Sequence, residues 1–162
     1  MGEEKVNLDE NLKGTEGIST KLIVSFTRTA SLLEEVFDRF YKKFKMSKPQ
    51  FSALYLIYLS GDEGMMLSSL GDEMVVSRAN ITSLVDRMEA RGIIKRVINP
   101  NDRRSIKAVI TEEGRKIIDS VLPSHKIFSE EVLDFLNENE KKRIIELLER
   151  VQKELISNYL SD

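Results

Sequence analysis

The spacing of apolar residues predicts a chain built mainly from amphipathic helices. From Ile18 to Phe44, apolar side chains recur every three or four residues, which predicts one long helix with a single apolar face. Ser47 and Gln50 then form a capping-box signal, so a second helix is expected to begin there. Residues 1–17 show no such period and are predicted to be a flexible tail.

Two short helices are predicted next. The first runs from about Ser68 to Met74, and a three-residue turn separates it from a second helix that Ser77 is suited to cap. Gly92 follows the last apolar residue of this second helix, where a left-handed residue commonly ends a helix. We interpret Met65 and Met66, just before the pair, as core residues.

The pattern then changes to short apolar runs suited to strands. Residues 93–98 and 106–110 form two such runs, and the segment 99–104 between them favours a turn and carries two arginines. This predicts a β-hairpin with a charged tip. Two short helices followed by a hairpin describe a winged helix-turn-helix. The predicted fold class is mainly α with a small β-hairpin wing.

Two long helices are predicted in the remainder of the chain. Thr111 and the two acidic residues after it begin a helix expected to run towards Leu136, with a kink at Pro123. Asn137 and Glu140 repeat the capping-box signal and begin a final amphipathic helix.

Positive charge is concentrated in one part of the chain. The formal net charge of the 162 residues is −2, which by itself argues against nucleic-acid binding. Residues 77–107, however, carry eight Lys/Arg against three Asp/Glu, and the segments on either side are acidic. A basic patch between acidic flanks is typical of a phosphate-binding face.

Several other classes of protein are excluded or disfavoured by composition. The absence of cysteine excludes disulfides, zinc-thiolate sites and thiol-based sensing. We find no Gly-rich phosphate loop, metal-ligand spacing or catalytic triad, so an enzyme, a cofactor and a metal are not expected. The single histidine, His125, is interpreted as a surface or hydrogen-bonded residue. Without a membrane-spanning run or signal peptide, no membrane partner and a cytoplasmic location are expected.

The second short helix and the hairpin tip carry the chemistry of DNA recognition. Polar side chains near the start of a recognition helix reach base edges and phosphates, and an arginine on a narrow loop fits the minor groove. Two alternatives remain: an ordinary solvated helix face, or a winged helix that binds protein or RNA. The candidate DNA-binding residues are Ser77, Arg78, Asn80, Thr82, Ser83, Arg87, Asp102, Arg103 and Arg104.

Residues 70–114 resemble the multiple antibiotic resistance regulator (MarR) family. The resemblance lies in residues 70–77, 81–96, 99–104 and 110–114, and the flanking helices match the layout of that family. It implies a homodimeric regulator, expected to be a repressor, that binds a pseudo-palindromic double-stranded DNA operator.

The resemblance also implies a division of the chain and roles for individual residues. The implied domains are a dimerisation helix (18–46), a winged DNA-binding module (47–111) and C-terminal dimerisation helices (112–162). Asp102 would orient Arg104 into the minor groove. A small aromatic or anionic effector would bind beside the module, where the lining residues by position are Tyr41, Phe44, Phe51 and Tyr55. The alternative is that these four aromatic residues belong to the core.

One position departs from the family pattern. Gly71 stands where the family usually has alanine, which should cost about 1 kcal/mol of helix propensity. We expect this glycine to allow close approach of a neighbouring backbone.

Overall fold

A computed structural model describes residues 17–99 and 102–160, apart from the side chains of residues 99 and 102–104. Of the predicted tail, residues 1–16 lie outside the described residues. The chain divides into two compact units, one extending to Ile118 and the other beginning at Asp119.

Helices α1 (Ile18–Lys42) and α2 (Lys48–Leu59) confirm the first two predicted helices. The capping box at the start of α2 is also confirmed: the Ser47 side chain accepts from the Gln50 N–H, and Gln50 Oε1 accepts from the Ser47 N–H. The end of α1 is tied to α2, because Asp38 Oδ1 accepts a 3.2 Å hydrogen bond from the Lys48 N–H.

The helix-turn-helix consists of α3 (Leu67–Met74) and α4 (Arg78–Ala90). The turn begins at Val75, which adopts a left-handed conformation with φ 53° and ψ 45°. Ser77 caps α4 by accepting from the Asn80 N–H, as predicted. The expected close approach at Gly71 is wrong, because a Cβ there would lie 3.4 Å from the nearest atom, an ordinary contact distance.

The wing is part of a three-stranded antiparallel sheet with the order β1-β3-β2. Strand β1 (Met65–Met66) is a correction to the sequence prediction: both methionines are half-buried and pair with β3. The hairpin strands are β2 (Ile94–Asn99) and β3 (Asp102–Ile110). The predicted loop 99–104 was therefore too long, because pairing resumes at Asn99 and Asp102 after an irregularity in the register.

Two hydrogen bonds join the residues at the two ends of the wing. Gly92 ends α4 with φ 71°, as predicted, and its carbonyl accepts a 2.7 Å hydrogen bond from the Thr111 hydroxyl. The Thr111 N–H donates to the Ile93 carbonyl at 3.2 Å. Around the base of the wing lies the core of the first unit, which includes Leu54, Ile57, Leu70, Val85, Met88, Ile93 and Ile94.

Two further helices complete the described chain. Helix α5 (Glu112–Val132) contains Pro123 and ends four residues before the predicted Leu136, because the chain turns through short-range hydrogen bonds from residue 133 onward. Helix α6 (Glu138–Leu155) begins with the predicted Asn137 capping box and continues into a π-helical turn, Ile156–Leu160.

Candidate nucleic-acid interface

Helix α4 has one buried face and one exposed polar face. Ile81, Leu84, Val85 and Met88 are buried, which anchors the helix in the first unit. The N-terminal end is also exposed, so the unsatisfied N–H groups and positive dipole end of the helix face solvent. The exposed polar positions include all six DNA-binding residues predicted for this helix, and Asp86 is exposed as well; the six are Ser77, Arg78, Asn80, Thr82, Ser83 and Arg87.

Besides the Ser77 cap, two of these exposed side chains donate hydrogen bonds to backbone carbonyls of their own helix. The Thr82 hydroxyl donates to the Arg78 carbonyl at 2.8 Å, and Arg87 Nε donates to the Ser83 carbonyl at 3.2 Å. These bonds lay both side chains along the helix surface. The polar face is therefore partly organised before any ligand binds.

Arg96, on strand β2, joins the wing to α4. Its guanidinium lies 2.7 Å from Asp86 Oδ1 and 2.7 Å from Glu89 Oε2, and it also donates to the Thr82 carbonyl at 3.3 Å. Glu89 Oε1 in addition accepts a 2.8 Å hydrogen bond from the Arg96 backbone N–H. One residue of the wing thus contacts Thr82, Asp86 and Glu89, which lie along one side of α4 over about two turns.

This arrangement directs the negative charge of α4 towards the wing. Asp86 and Glu89 are the two acidic residues in the α4 sequence, and both pair with Arg96. The backbone N–H of Arg96, followed by its guanidinium, lowers the pKa of Glu89, which keeps this carboxylate charged. The charges of Asp86, which is 60% exposed, and of Glu89 are thus paired with Arg96. The other exposed polar side chains of α4 are cationic or neutral, which suits phosphate binding.

The predicted residues of the wing tip are only partly described. Asp102, Arg103 and Arg104 belong to strand β3, but their side chains lie outside the described residues. Their role in the minor groove therefore stays a prediction.

The aromatic residues proposed to line an effector site form one cluster. The rings of Tyr41 and Phe51 stack with centroids 4.3 Å apart, and Phe51 stacks on Tyr55 at 5.9 Å. Phe44 contacts Phe40 at 5.4 Å. Tyr41 and Phe51 are buried, and burial raises the pKa of the Tyr41 phenol. Phe44 and Tyr55 are half-buried. They lie at opposite ends of the series of ring contacts, which runs from Phe44 through Phe40, Tyr41 and Phe51 to Tyr55.

Sequence reasoning missed the role of Arg96. The signal was present, because Asp86 and Glu89 are three residues apart and so share a helix face. Strand alternation also places Arg96 on the same side of β2 as the buried Ile94. An arginine on the inward side of a strand needs acidic partners, and these two are close in sequence.

Other chemistry is limited in the part of the chain that the structure describes. No group of three His, Asp or Glu side chains there is arranged to hold a metal ion, and no helix is long and apolar enough to cross a membrane. His125 is half-buried, and burial lowers its pKa, which favours the neutral imidazole.

Comparison with known proteins identifies the family. The MarR family model matches residues 46–106, which contain the whole helix-turn-helix and most of the wing. The HTH-type transcriptional regulator MhqR of Bacillus subtilis is 29% identical over 133 residues, which are 82% of this chain and 90% of that protein. Residues 46–106 therefore form a MarR-family domain. These matches confirm the expected class, a DNA-binding transcriptional regulator rather than an enzyme.

Solved MarR structures confirm the fold. Sco3205 of Streptomyces coelicolor, crystallised in complex with DNA, superimposes with a TM-score of 0.80 at 23% identity and covers 93% of this chain and 96% of its own. PcaV of the same organism, crystallised in complex with its natural ligand, has a TM-score of 0.70 at 19% identity, with coverage of 86% and 97%. The winged helix-turn-helix fold predicted from the sequence is the fold of these proteins.

Proposed function

We propose that this protein is a homodimeric repressor of the MarR family that places α4 in the major groove and the wing in the minor groove of a pseudo-palindromic operator. The observation that carries the proposal is the charge arrangement of α4: its acidic side chains pair with Arg96, and its exposed face holds Arg78, Asn80 and Arg87. Such a protein acts where the chromosome is, so a cytoplasmic location is part of the proposal.

The dimer is supported by exposed apolar side chains outside the helix-turn-helix. On α1, Leu22, Ile23 and Leu32 are half or more exposed, and on α6 Ile145 is 53% exposed. Apolar stripes of this kind commonly mark an interface with another chain. We assign dimerisation to residues 18–46 and 112–162 and DNA binding to residues 47–111.

The proposed effector is a small aromatic or anionic molecule bound against the half-buried members of the aromatic cluster. Phe44 and Tyr55 would contact it, with Tyr41 and Phe51 behind them. Support comes from the similar fold of PcaV, which was crystallised with its natural ligand. Binding there would change the spacing of the two recognition helices and release the operator.

A binding titration tests the proposal. The full chain should bind a duplex selected from a random-sequence library, protect two half-sites about one helical turn apart, and lose affinity steeply as salt rises. Arg104→Ala should weaken binding and reduce the salt slope by about 1, whereas Arg78→Ala should lower the preference for the selected duplex over random DNA. Benzoate serves as the effector probe and should weaken binding.

Two measurements provide the controls. Sedimentation should give a dimer for the wild type and both variants, and their melting curves should coincide. Failure to select any duplex, or affinity that does not change with salt, would contradict the proposed function.

A further inference from the structure

The two faces of the wing are distinguished by the register of its strands. The cross-strand pairs are Ile94 with Ile110, Arg96 with Ala108, and Ile98 with Ile106. Because side chains alternate along a strand, these three pairs share one side of the hairpin, and Val97 points to the other. The first side is called the inner face; it consists of Ile94, Arg96, Ile98, Ile106, Ala108 and Ile110.

The inner face is buried at its base and exposed towards the tip. Ile94 and Ile110 are 1% and 5% exposed, and Ala108 is fully buried. One pair further out, Ile98 is 65% exposed and Ile106 is 41% exposed. This last regular pair of the ladder is apolar, although the described part of the first unit leaves it largely uncovered.

The contacts of Arg96 show which way the Ile98–Ile106 pair faces. It lies between Ile94 and Ile98 on the inner face and bonds to Thr82, Asp86 and Glu89 of α4. Ile98 and Ile106 therefore lie on the α4 side of the wing, further towards the tip than the contacts of Arg96 with α4. A duplex bound by both α4 and the wing would pass along this side.

We infer that Ile98 and Ile106 pack against the deoxyribose edge of the minor groove when the protein binds its operator, an inference that rests on the proposed function. The walls of the minor groove are formed by sugar C–H groups, which are an apolar surface suited to isoleucine. The contact is continuous with the polar face of α4 and lies within the basic segment 77–107. It involves no phosphate, so its contribution to affinity does not depend on salt.

The test is the double variant Ile98→Thr/Ile106→Thr in the full chain, with Val97→Thr on the opposite face as the matched control. Threonine keeps the β-branch that favours strands but removes most of the apolar contact. Affinity for the selected duplex is measured between about 50 and 200 mM salt. The double variant should bind about 5- to 30-fold more weakly at every salt concentration, with the salt slope of the wild type. The control should bind like the wild type.

Three outcomes would overturn the inference. Unchanged affinity would show that the pair does not contact DNA. Weaker binding with a reduced salt slope would show that the variant loosens the wing and loses its phosphate contacts, so that the pair is structural. A change in sedimentation mass would assign the pair to contact with a second copy of the chain. If the wild type binds no duplex, the proposed function itself fails, which is a separate result.

Discussion

The same substitution, Gly→Ala, should have opposite effects on stability at Gly71 and at Gly114. Both lie within helices, α3 and α5. In either helix, Gly→Ala restricts the unfolded chain and raises helix propensity, which by itself should stabilise the protein by about 0.5–1 kcal/mol. The sign of the result is then decided by what the new methyl group meets.

At Gly71 the methyl group finds space. An added Cβ would lie 3.4 Å from the Val76 carbonyl oxygen and 3.7 Å from Ile81 Cγ2, both ordinary contacts. The gain in helix propensity is therefore retained. We expect Gly71→Ala to raise the melting temperature by about 2–4 °C for a chain of this size.

At Gly114 the methyl group meets the base of the wing. An added Cβ would overlap the Ile93 carbonyl oxygen and lie 2.9 Å from Ile110 Cγ1. The Ile93 carbonyl is backbone, and it accepts the hydrogen bond from the Thr111 N–H, so the helix start must move to relieve the overlap. Overpacking of this kind costs about 1–3 kcal/mol or more. After the gain in propensity is subtracted, Gly114→Ala should lower the melting temperature by several degrees.

The assay is thermal and urea denaturation of the full chain at one fixed protomer concentration, because the proposed dimerisation would make stability depend on concentration. Gly71→Ala is the matched control for Gly114→Ala. A Gly114→Ala variant that melts at or above the wild-type temperature would refute the close approach of Gly114 to the Ile93 carbonyl. A Gly71→Ala variant that melts lower would refute the space described beside α3.

Three further predictions concern the left-handed residue and the Arg96 pairs. Val75→Asn should stabilise by about 1 kcal/mol, because a β-branched residue is strained at φ 53° whereas Asn tolerates it; an unchanged melting temperature would contradict this. Arg96→Gln should destabilise by about 1 kcal/mol near neutral pH, since its acidic partners are partly exposed. In the folded protein the pKa of Glu89 lies below its ordinary value of 4.5, so the ionised carboxylate stabilises the fold at pH values above 4.5. This stabilisation is lost as the pH falls through the lower folded pKa. Glu89→Gln should therefore flatten the acid limb of a plot of stability against pH.

The features that the sequence predicted correctly have local signals. The capping boxes at Ser47 and Asn137 involve residues three apart, and the left-handed Gly92 follows directly after an apolar helical period. Each can be recognised within one or two turns of chain, because the groups that bond are neighbours in sequence. The helices of the fold and the polar face of α4 follow from such signals.

The strand that was missed depends on contacts between distant residues. Strand β1 has two residues, Met65 and Met66, and exists because it pairs with Ala108 and Lys107, more than 40 positions away. Two apolar residues carry no period from which a strand could be predicted. The end of the hairpin loop was missed for a different reason: Asn99 pairs with Asp102, only three positions away, after an irregularity that no spacing rule gives.

The effect of Gly114→Ala on the register of the wing should also reach the candidate DNA-binding surface. A slip of one residue between β2 and its neighbours would move Arg96 to the opposite face of the wing, away from Asp86 and Glu89, and would leave their charges unpaired beside the polar face of α4. The bonds of Thr111 to Gly92 and Ile93 fix the hairpin at its base. Gly114 is required there because any side chain would push α5 off the Ile93 carbonyl. A loss of register caused by Gly114→Ala should therefore weaken DNA binding by more than the fraction of unfolded protein accounts for.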